Sequence, residues 1–338
     1  MNFRTHRYAP VLVLLVLSPL VAEVLFGATP ISRLGALLPV TAIYGGGAVL
    51  VRELARRRGP GWSRIVLLGA AYAIVEEGLA LQSMFNPDLF NAGLVGGRML
   101  GVNWVWSEWT VGYHVVWSIS IPILLAELLF PARRAEPWLG RIGVAVVGVV
   151  YTIGVLVLAY SFRLIITPDF RTPLALEAGS TLLAIGLVGL ALVWTAAPAR
   201  PPSNEPVRNA PAPWLGGLVA FLAAGAWFGL LDLPHVMRTG VLVLVPMTLG
   251  VVLAAGMAAL IRQWSAPGRR WSDQHSLALA FGPLLVSMLW GFFFVTAGNH
   301  VDQLGQGAAS VVAVVLLMLF ARRLRERGHV AAESGQEN

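Results

Sequence analysis

Ten apolar runs account for most of this sequence, and short segments with Arg, Pro, Gly or polar residues separate them. An apolar run of about 20 residues is long enough to cross the hydrocarbon core of a bilayer as a helix. Lipid offers the backbone no hydrogen-bond partner, so each run must satisfy its own backbone as a helix. The runs lie near residues 9–27, 36–51, 65–84, 109–130, 141–161, 174–195, 214–231, 240–261, 275–297 and 306–321. The sequence therefore predicts an all-α, polytopic integral membrane bundle of about ten transmembrane helices.

The composition also places the chain outside the range of soluble domains. Hydrophobic residues make up 57% of it, charged residues make up 12%, and the mean hydropathy is +0.73. The formal charge is +7, but the positive side chains lie in short loops, so the charge indicates topology rather than a nucleic-acid partner. All 24 basic residues are arginine and there is no cysteine, which excludes lysine Schiff bases and thiolate sites. We expect a multi-pass protein of the cell membrane whose partner is the lipid bilayer.

The arginines predict the orientation, because basic loops are retained on the cytoplasmic side of a membrane. With a cytoplasmic N-terminus, 19 arginines fall on the cytoplasmic side and 5 on the outer side. The outer ones are Arg33, Arg98, Arg163, Arg171 and Arg238. An even number of spans then places both termini in the cytoplasm. A cleaved signal peptide is the alternative interpretation of the first run, which follows Arg4 and Arg7 but lacks a clear small-residue cleavage site.

A proline-rich segment divides the chain. Six prolines fall within residues 198–213, and proline can neither continue a helix nor donate a backbone hydrogen bond. The predicted parts are a membrane bundle of spans 1–6 over 1–197, a cytoplasmic linker over 198–213, a membrane bundle of spans 7–10 over 214–321 and a disordered cytoplasmic tail over 322–338. A faint similarity between Pro39-Val-Thr41 and Pro246-Met-Thr248 leaves open whether spans 1–4 and 7–10 are repeats.

The third run carries two adjacent carboxylates, Glu76 and Glu77. An ionisable side chain at membrane depth costs several kcal/mol even on lenient insertion scales, so such a pair indicates a functional site. With the third span running outward, the helical rise puts Glu76 about 12 Å below its outer end. Adjacent helical side chains point about 100° apart, so we expect one carboxyl to face the site and the other a neighbouring helix. The alternative is that both are protonated and structural.

The fourth run places a histidine at a similar depth. His114 lies about 8 to 9 Å below the outer surface. Thr110 and Ser118 stand four residues on either side of it, so one face of this helix is polar. A histidine there can act as a base, a proton relay or a metal ligand, whereas the alternative is a ring bonded to nearby backbone. We therefore take Glu76, Glu77 and His114 as the candidate catalytic residues.

Other polar residues toward the same leaflet are supporting candidates. They are Glu23 in the first run, Gln82 after the glutamate pair, and His300 and Asp302 after the ninth run. A carboxylate beside an imidazole can orient it, which favours His300 with Asp302. Together these groups predict a water-filled cavity that opens outward. The sequence specifies no cofactor, but it allows a divalent metal held by Glu76, Glu77, His114 and His300.

The connection between the third and fourth runs is the longest outer loop, from Phe85 to Glu108. It contains Gly93, Gly96, Gly97 and Gly101, and its tryptophans suit the membrane interface. A loop of this length in a bundle is commonly functional. We predict a lid or a re-entrant segment over the glutamate pair.

A glutamate pair in one span and a histidine in the next resemble the opening of the CPBP intramembrane proteases, also called the Abi or CAAX-protease and bacteriocin-processing family. That family carries Glu-Glu-x-x-x-Arg and Phe-x-x-x-His motifs on consecutive core helices, and a later His-x-x-x-Asn. The resemblance implies a hydrolase in which Glu76 and Glu77 activate water and His114 is the second-motif histidine. The departures are Leu81 at the arginine position, Thr110 at the phenylalanine position, and Leu304 four residues after His300.

Three functions remain open from the sequence. The first is an intramembrane hydrolase with a glutamate-activated water and a membrane-embedded or small-molecule substrate. The second is a proton- or cation-coupled secondary transporter that uses the same residues as a relay. The third is a non-catalytic membrane assembly protein.

Overall fold

The structure, a computed structural model, describes residues 6–194, 208–232 and 240–334. These residues form ten helices. The helices are α1 (Ala9–Val24), α2 (Ile31–Arg56), α3 (Ser63–Ala73, extended by Ile74–Ala80), α4 (Trp104–Leu129), α5 (Arg141–Ile166), α6 (Leu174–Val193), α7 (Pro213–Asp232), α8 (Leu244–Trp264), α9 (Asp273–Val295) and α10 (His300–Ser334). Strands β1 (Arg98–Met99) and β2 (Val102–Asn103) pair antiparallel between α3 and α4. The predicted all-α architecture is confirmed.

Most of these helices suit a bilayer. Eight of the ten within the described residues are long and apolar enough to cross a membrane. The other two are the shorter α1 and α3, and the apolar run of α3 is interrupted by Arg64 and the glutamate pair. Helices α5, α6, α8 and α10 leave most of their apolar side chains exposed, as helices that border lipid do. The protein is therefore a multi-pass membrane protein.

Several helices widen into π-type turns, in which a backbone N–H donates to the carbonyl five residues earlier. The turns lie at Leu20–Val24, Thr41–Gly45, Ile74–Ala80, His114–Ser120, Ser161–Ile166 and Gly291–Val295. In α3, for example, the Leu81 N–H donates to the Glu76 carbonyl at 2.8 Å. Such turns occur frequently at functional sites. Two of them contain the candidate catalytic residues.

The chain divides into two units by its internal contacts. Unit 1 consists of Met1–Ala22, Gly35–Pro198 and Ala226–Leu253, and unit 2 consists of Glu23–Leu34, Ala199–Gly225 and Ala254–Asn338. Most of the predicted linker at 198–213 lies outside the described residues, so the division predicted there stays a prediction. Helix α10 continues to Ser334, whereas the sequence led us to expect disorder from residue 322. A helix already formed in the membrane propagates into this segment without a new nucleus.

Glycines let the helices of unit 1 pack closely. A Cβ on Gly45 of α2 would collide with the backbone of Leu15 in α1. A Cβ on Gly154 of α5 would come within 3.0 Å of Ala42. Small residues allow such close approach, which drives helix association in lipid because no hydrophobic effect operates there.

In unit 2, a buried amide joins three parts of the chain. The side-chain Nε2 of Gln306 in α10 donates to the carbonyl of Leu25 at 2.7 Å and to that of Met288 in α9 at 3.0 Å. The Gln306 amide thereby ties α10 to α9 and to the residues that follow α1.

An ionic network closes the end of unit 1 that is predicted to be cytoplasmic. Arg52 of α2 is fully buried and donates to Glu127 at 3.2 Å and to Glu53 at 3.1 Å. Arg56 holds Glu127 with two hydrogen bonds, both 2.7 Å long. The Arg52 guanidinium also lies 3.4 Å from the ring centroid of Trp138. Two buried arginines thus face two buried carboxylates, and the partly exposed Arg57 lies 3.9 Å from Glu53 at the edge of the network.

We predict that Glu127→Gln lowers the free energy of unfolding by about 3 kcal/mol, because it leaves two buried arginines with one counter-charge. Chemical denaturation in detergent measures the loss. The control is Glu136→Gln, since Glu136 is 58% exposed and pairs with Arg133 at the surface. We expect that change to stay within about 0.5 kcal/mol. Equal effects of the two substitutions would contradict the prediction.

The orientation predicts which loops a membrane-impermeant thiol reagent can reach. The sequence has no cysteine, so a single introduced thiol reports one position. Asp169→Cys, in the exposed loop before α6, should be labelled from outside intact cells. Glu136→Cys, in the loop before α5, should be labelled only after the membrane is opened. Labelling in the reverse pattern would contradict the predicted orientation.

Candidate functional site

Glu77 and His114 contact each other directly inside unit 1. The Nε2 atom of His114 lies 2.9 Å from Glu77 Oε1. Both residues are buried, and each lies in a wide turn, Ile74–Ala80 in α3 and His114–Ser120 in α4. A carboxylate and an imidazole at hydrogen-bond distance, away from water, form a pair that can exchange a proton.

The other ring nitrogen of His114 faces two further groups. Its Nδ1 lies 2.9 Å from Ser118 Oγ and 3.5 Å from Glu76 Oε2. Both glutamates therefore reach one imidazole, and the prediction that they face different surroundings is wrong. A turn closed by i→i+5 bonds holds more residues than an α-helical turn, so successive side chains diverge by less than about 100°. The imidazole also offers a nitrogen to each carboxyl.

Tyrosines enclose the imidazole. The rings of Tyr44, Tyr72 and Tyr113 have centroids 5.9, 5.7 and 5.6 Å from that of His114. The side chains of Tyr44 and Tyr72 also interact with the carboxyl of Glu76, which is 1% exposed. The sequence led us to expect an open, water-filled cavity at this depth. The structure instead packs the cluster against aromatic rings.

Ser83 completes the cluster, and the sequence analysis did not select it as a site residue. Its hydroxyl donates a hydrogen bond to Glu77 Oε2 and accepts a hydrogen bond from the Trp106 indole N–H at 3.0 Å. Ser83 is fully buried. The signal available in the sequence was a serine six residues after a buried glutamate, which helical spacing alone does not bring together. A sharp reversal of the chain does so.

That reversal is made at Gln82. Its φ of +61° lies in the left-handed region, which a residue with a side chain rarely adopts. The Gln82 amide donates to Glu177 Oε1 at 3.2 Å, and Arg163 donates to the same oxygen at 2.8 Å. Arg163 also donates to the Leu79 carbonyl in the wide turn. Gln82, predicted as a supporting residue, holds the end of α3 through this network.

The loop between α3 and α4 is ordered by its own hydrogen bonds. The Asn103 side chain donates to the carbonyls of Ala92 at 2.7 Å and Val95 at 3.2 Å. Arg98 donates to the Phe85 carbonyl at 2.7 Å. The loop continues into α4, whose first turn carries Trp106 to Ser83. Its role as a lid stays a prediction.

The cluster differs in its charge from the arginine network around Arg52. Glu76 and Glu77 face one histidine, whereas the network around Arg52 matches each carboxylate with an arginine. Two ionised carboxylates beside one imidazolium would leave a net negative charge in an apolar bundle, which is costly. The cluster therefore has to hold a proton or a cation that the arginine network does not need.

The remaining supporting candidates, Glu23, His300 and Asp302, lie in unit 2. Glu23 Oε2 accepts a hydrogen bond from the Thr29 hydroxyl at 2.6 Å. Asp302 accepts from the Ser32 backbone N–H at 3.0 Å and from its hydroxyl at 2.9 Å. Between described residues, Asp302 forms no hydrogen bond or ion pair with His300. No group of three or more His, Asp or Glu side chains in the described part of the chain is placed to hold a metal ion.

The comparison with known families supports the assignment of the chain as a membrane protein. Residues 12–161 match the model of an uncharacterized membrane protein family. The match covers less than half of the 338 residues, and it includes Glu76, Glu77, Ser83 and His114. No curated protein and no solved structure matches the chain.

The left-handed backbone at Gln82 yields a prediction on stability. Gln82→Gly should change the free energy of unfolding by less than about 1 kcal/mol, because glycine adopts this conformation freely while one hydrogen bond is lost. Gln82→Val should destabilise the protein by about 2 kcal/mol, since a β-branched residue is strained there. Val66 lies within the helical part of α3. There the order should be reversed, and Val66→Gly should lower the free energy of unfolding because glycine is a poor helix former. Thermal unfolding of the variants compares them.

Proposed function

We propose that the protein is an intramembrane hydrolase in which Glu76 is the general base and Glu77 with His114 supports it. The observation that carries the proposal is the difference between the two carboxyls. Both oxygens of Glu77 are engaged, by His114 and by Ser83. Glu76 Oε2 is buried and makes no hydrogen bond within the described residues. A base needs a free oxygen within reach of the proton that it removes.

The surroundings of Glu76 suit this role. The imidazole of His114 lies 3.5 Å away, close enough to stabilise a developing charge or to pass on a proton. Apolar and aromatic surroundings strengthen these interactions because water does not screen them. The water to be activated would hydrogen-bond to Glu76 Oε2, which has no hydrogen-bond partner among the described residues.

The resemblance to CPBP intramembrane proteases supports the same reaction. That family's paired glutamates and second-motif histidine correspond to Glu76, Glu77 and His114. This chain lacks the motif arginine, but Arg163 of α5 donates to the Leu79 carbonyl beside the glutamate pair. An arginine from a different helix thus stabilises the turn that carries the two carboxyls.

A proton relay is the second candidate function, and the unbalanced charge of the cluster favours it. Hydrogen-bond contacts link Ser83, Glu77, His114 and Ser118 in one continuous chain. Ser83 follows Glu77 toward the outer end of α3, while Ser118 follows His114 in the opposite direction along α4. In a secondary transporter, such a chain could couple proton movement to substrate.

The experiment that tests the hydrolase is cleavage of quenched fluorescent transmembrane peptides by protein in liposomes. Glu76→Gln and His114→Asn should each lower the cleavage rate at least about 100-fold, because general base catalysis contributes that much. Both variants should still fold, since amides retain the shape and polarity of the original side chains. Glu108→Gln is the matched control, because Glu108 shares α4 with His114 and its carboxyl oxygens make no hydrogen bond with a described residue.

The same liposomes distinguish the two functions. Proton uptake by the wild-type protein that is lost in Glu76→Gln and His114→Asn, without cleavage of any peptide, would support the relay and contradict the hydrolase. Cleavage without proton uptake would contradict the relay.

A further inference from the structure

We propose that the β1–β2 hairpin between α3 and α4 is a lipid anchor, whose apolar tip inserts into the leaflet at that end of unit 1. The tip consists of Met99, which is 61% exposed, and Leu100, which is 82% exposed. A single exposed apolar residue is normal on a protein surface. The conformation of this turn and the elements beside it distinguish the tip from such a residue.

The turn of the hairpin carries an unusual residue for a turn in water. Met99 pairs with Val102, so Leu100 and Gly101 form a two-residue connection. Their φ angles are +54° and +81°, positive at both positions as in a type I′ turn. Asparagine is favoured before the glycine of such turns, because it is polar and tolerates the left-handed conformation. A leucine there is strained and exposed at once, which is unfavourable in water on both counts.

Hydrogen bonds hold the hairpin against the loop and against α4. The Trp104 indole N–H donates to the Met99 carbonyl at 3.2 Å. The Arg98 side chain donates to the Phe85 carbonyl at 2.7 Å and to the Gly101 carbonyl at 3.4 Å. Two carbonyls of the hairpin, those of Met99 and Gly101, thus have side-chain donors within the protein. Such partners lower the cost of placing this backbone next to lipid.

The hairpin lies beside the first turn of a membrane helix. A Cβ on Gly101 would come within 3.1 Å of Leu176 Cδ1, and Leu176 is the third residue of α6. Helix α6 is long and apolar enough to span a membrane, and Leu174 at its start is 79% exposed. The tip therefore continues the apolar surface with which α6 borders lipid. Its level is that of a helix end, near the boundary between hydrocarbon and headgroups.

Lipid fits this surface better than a protein partner does. Trp104, the first residue of α4, is 43% exposed, and tryptophans at the ends of spanning helices are enriched at the membrane–water interface. A stable protein interface buries about 800 Å² on each partner, which is far more than two side chains can supply. Insertion into lipid needs no such area, because its strength grows with each apolar group that is buried.

Spin labels on the full-length protein in liposomes test the proposal. The sequence has no cysteine, so Leu100→Cys and Met99→Cys each provide a single labelling site. Electron paramagnetic resonance compares collisions of the label with oxygen, which concentrates in lipid, and with a water-soluble nickel chelate. Both tip labels should favour oxygen, as should a label at Leu182→Cys on the exposed face of α6. A label at Asp169→Cys, in the loop before α6, should favour the nickel chelate.

A second pair of variants separates insertion from the conformation of the turn. With the label at Met99→Cys, the substitution Leu100→Asn should abolish the preference for oxygen, because the apolar side chain is lost. Asparagine suits the left-handed position, so the hairpin itself should be retained. Leu100→Met is the matched control, since it keeps an apolar side chain and should keep the preference for oxygen.

Three results would overturn the proposal. The first is a preference for nickel at the tip, which would place it in water. The second is protection of the tip from both reagents, which would show that protein covers it. The third is an unchanged preference for oxygen in Leu100→Asn. Met99→Cys and Leu100→Cys report on the same tip, so either label decides if the other variant does not fold. The measurement needs no substrate, so its outcome is independent of the proposed hydrolase.

Discussion

The absence of water around a membrane-embedded bundle is the constraint on which the rest of this structure depends. A charged or polar group there has to find its partners within the protein. Arg52 and Arg56 meet this requirement with Glu53 and Glu127. The Gln306 amide meets it for the backbone of unit 2, where it donates to two carbonyls. Packing through glycine then follows, because close approach is what holds helices together in lipid.

The same constraint explains why the glutamate cluster stands apart. The arginine network is balanced and hydrogen-bonded throughout, which is the behaviour of a structural element. Glu76 and Glu77 share a single histidine, and Glu76 Oε2 makes no hydrogen bond with a described residue. A buried group with an open hydrogen-bond position is costly to keep, so it marks the place where a proton, a water or a substrate is expected. The proposed hydrolase uses this position.

Wide helical turns shape the site. Those in α3 and α4 bring two adjacent glutamates onto one imidazole, which a regular helix would not do. The reversal at Gln82 then returns Ser83 to Glu77, and Glu177 and Arg163 hold that reversal in place. The resulting site is asymmetric, because both oxygens of Glu77 are hydrogen-bonded whereas Glu76 Oε2 has no hydrogen-bond partner among the described residues. The separate roles that we propose for the two glutamates rest on that asymmetry.

The sequence by itself determined the class of fold, because apolar runs of about 20 residues have one stable backbone structure in lipid. Buried Glu76, Glu77 and His114 were also visible, since an ionisable residue in such a run is rare. The tertiary structure decided the rest. Helical periodicity assumes regular turns, so it could not predict the shared imidazole or the return of Ser83. The Trp106 indole donates to Ser83, and the Ser32 backbone N–H donates to Asp302. Both hydrogen bonds join segments that are distant in the sequence, so only the folded chain brings them together.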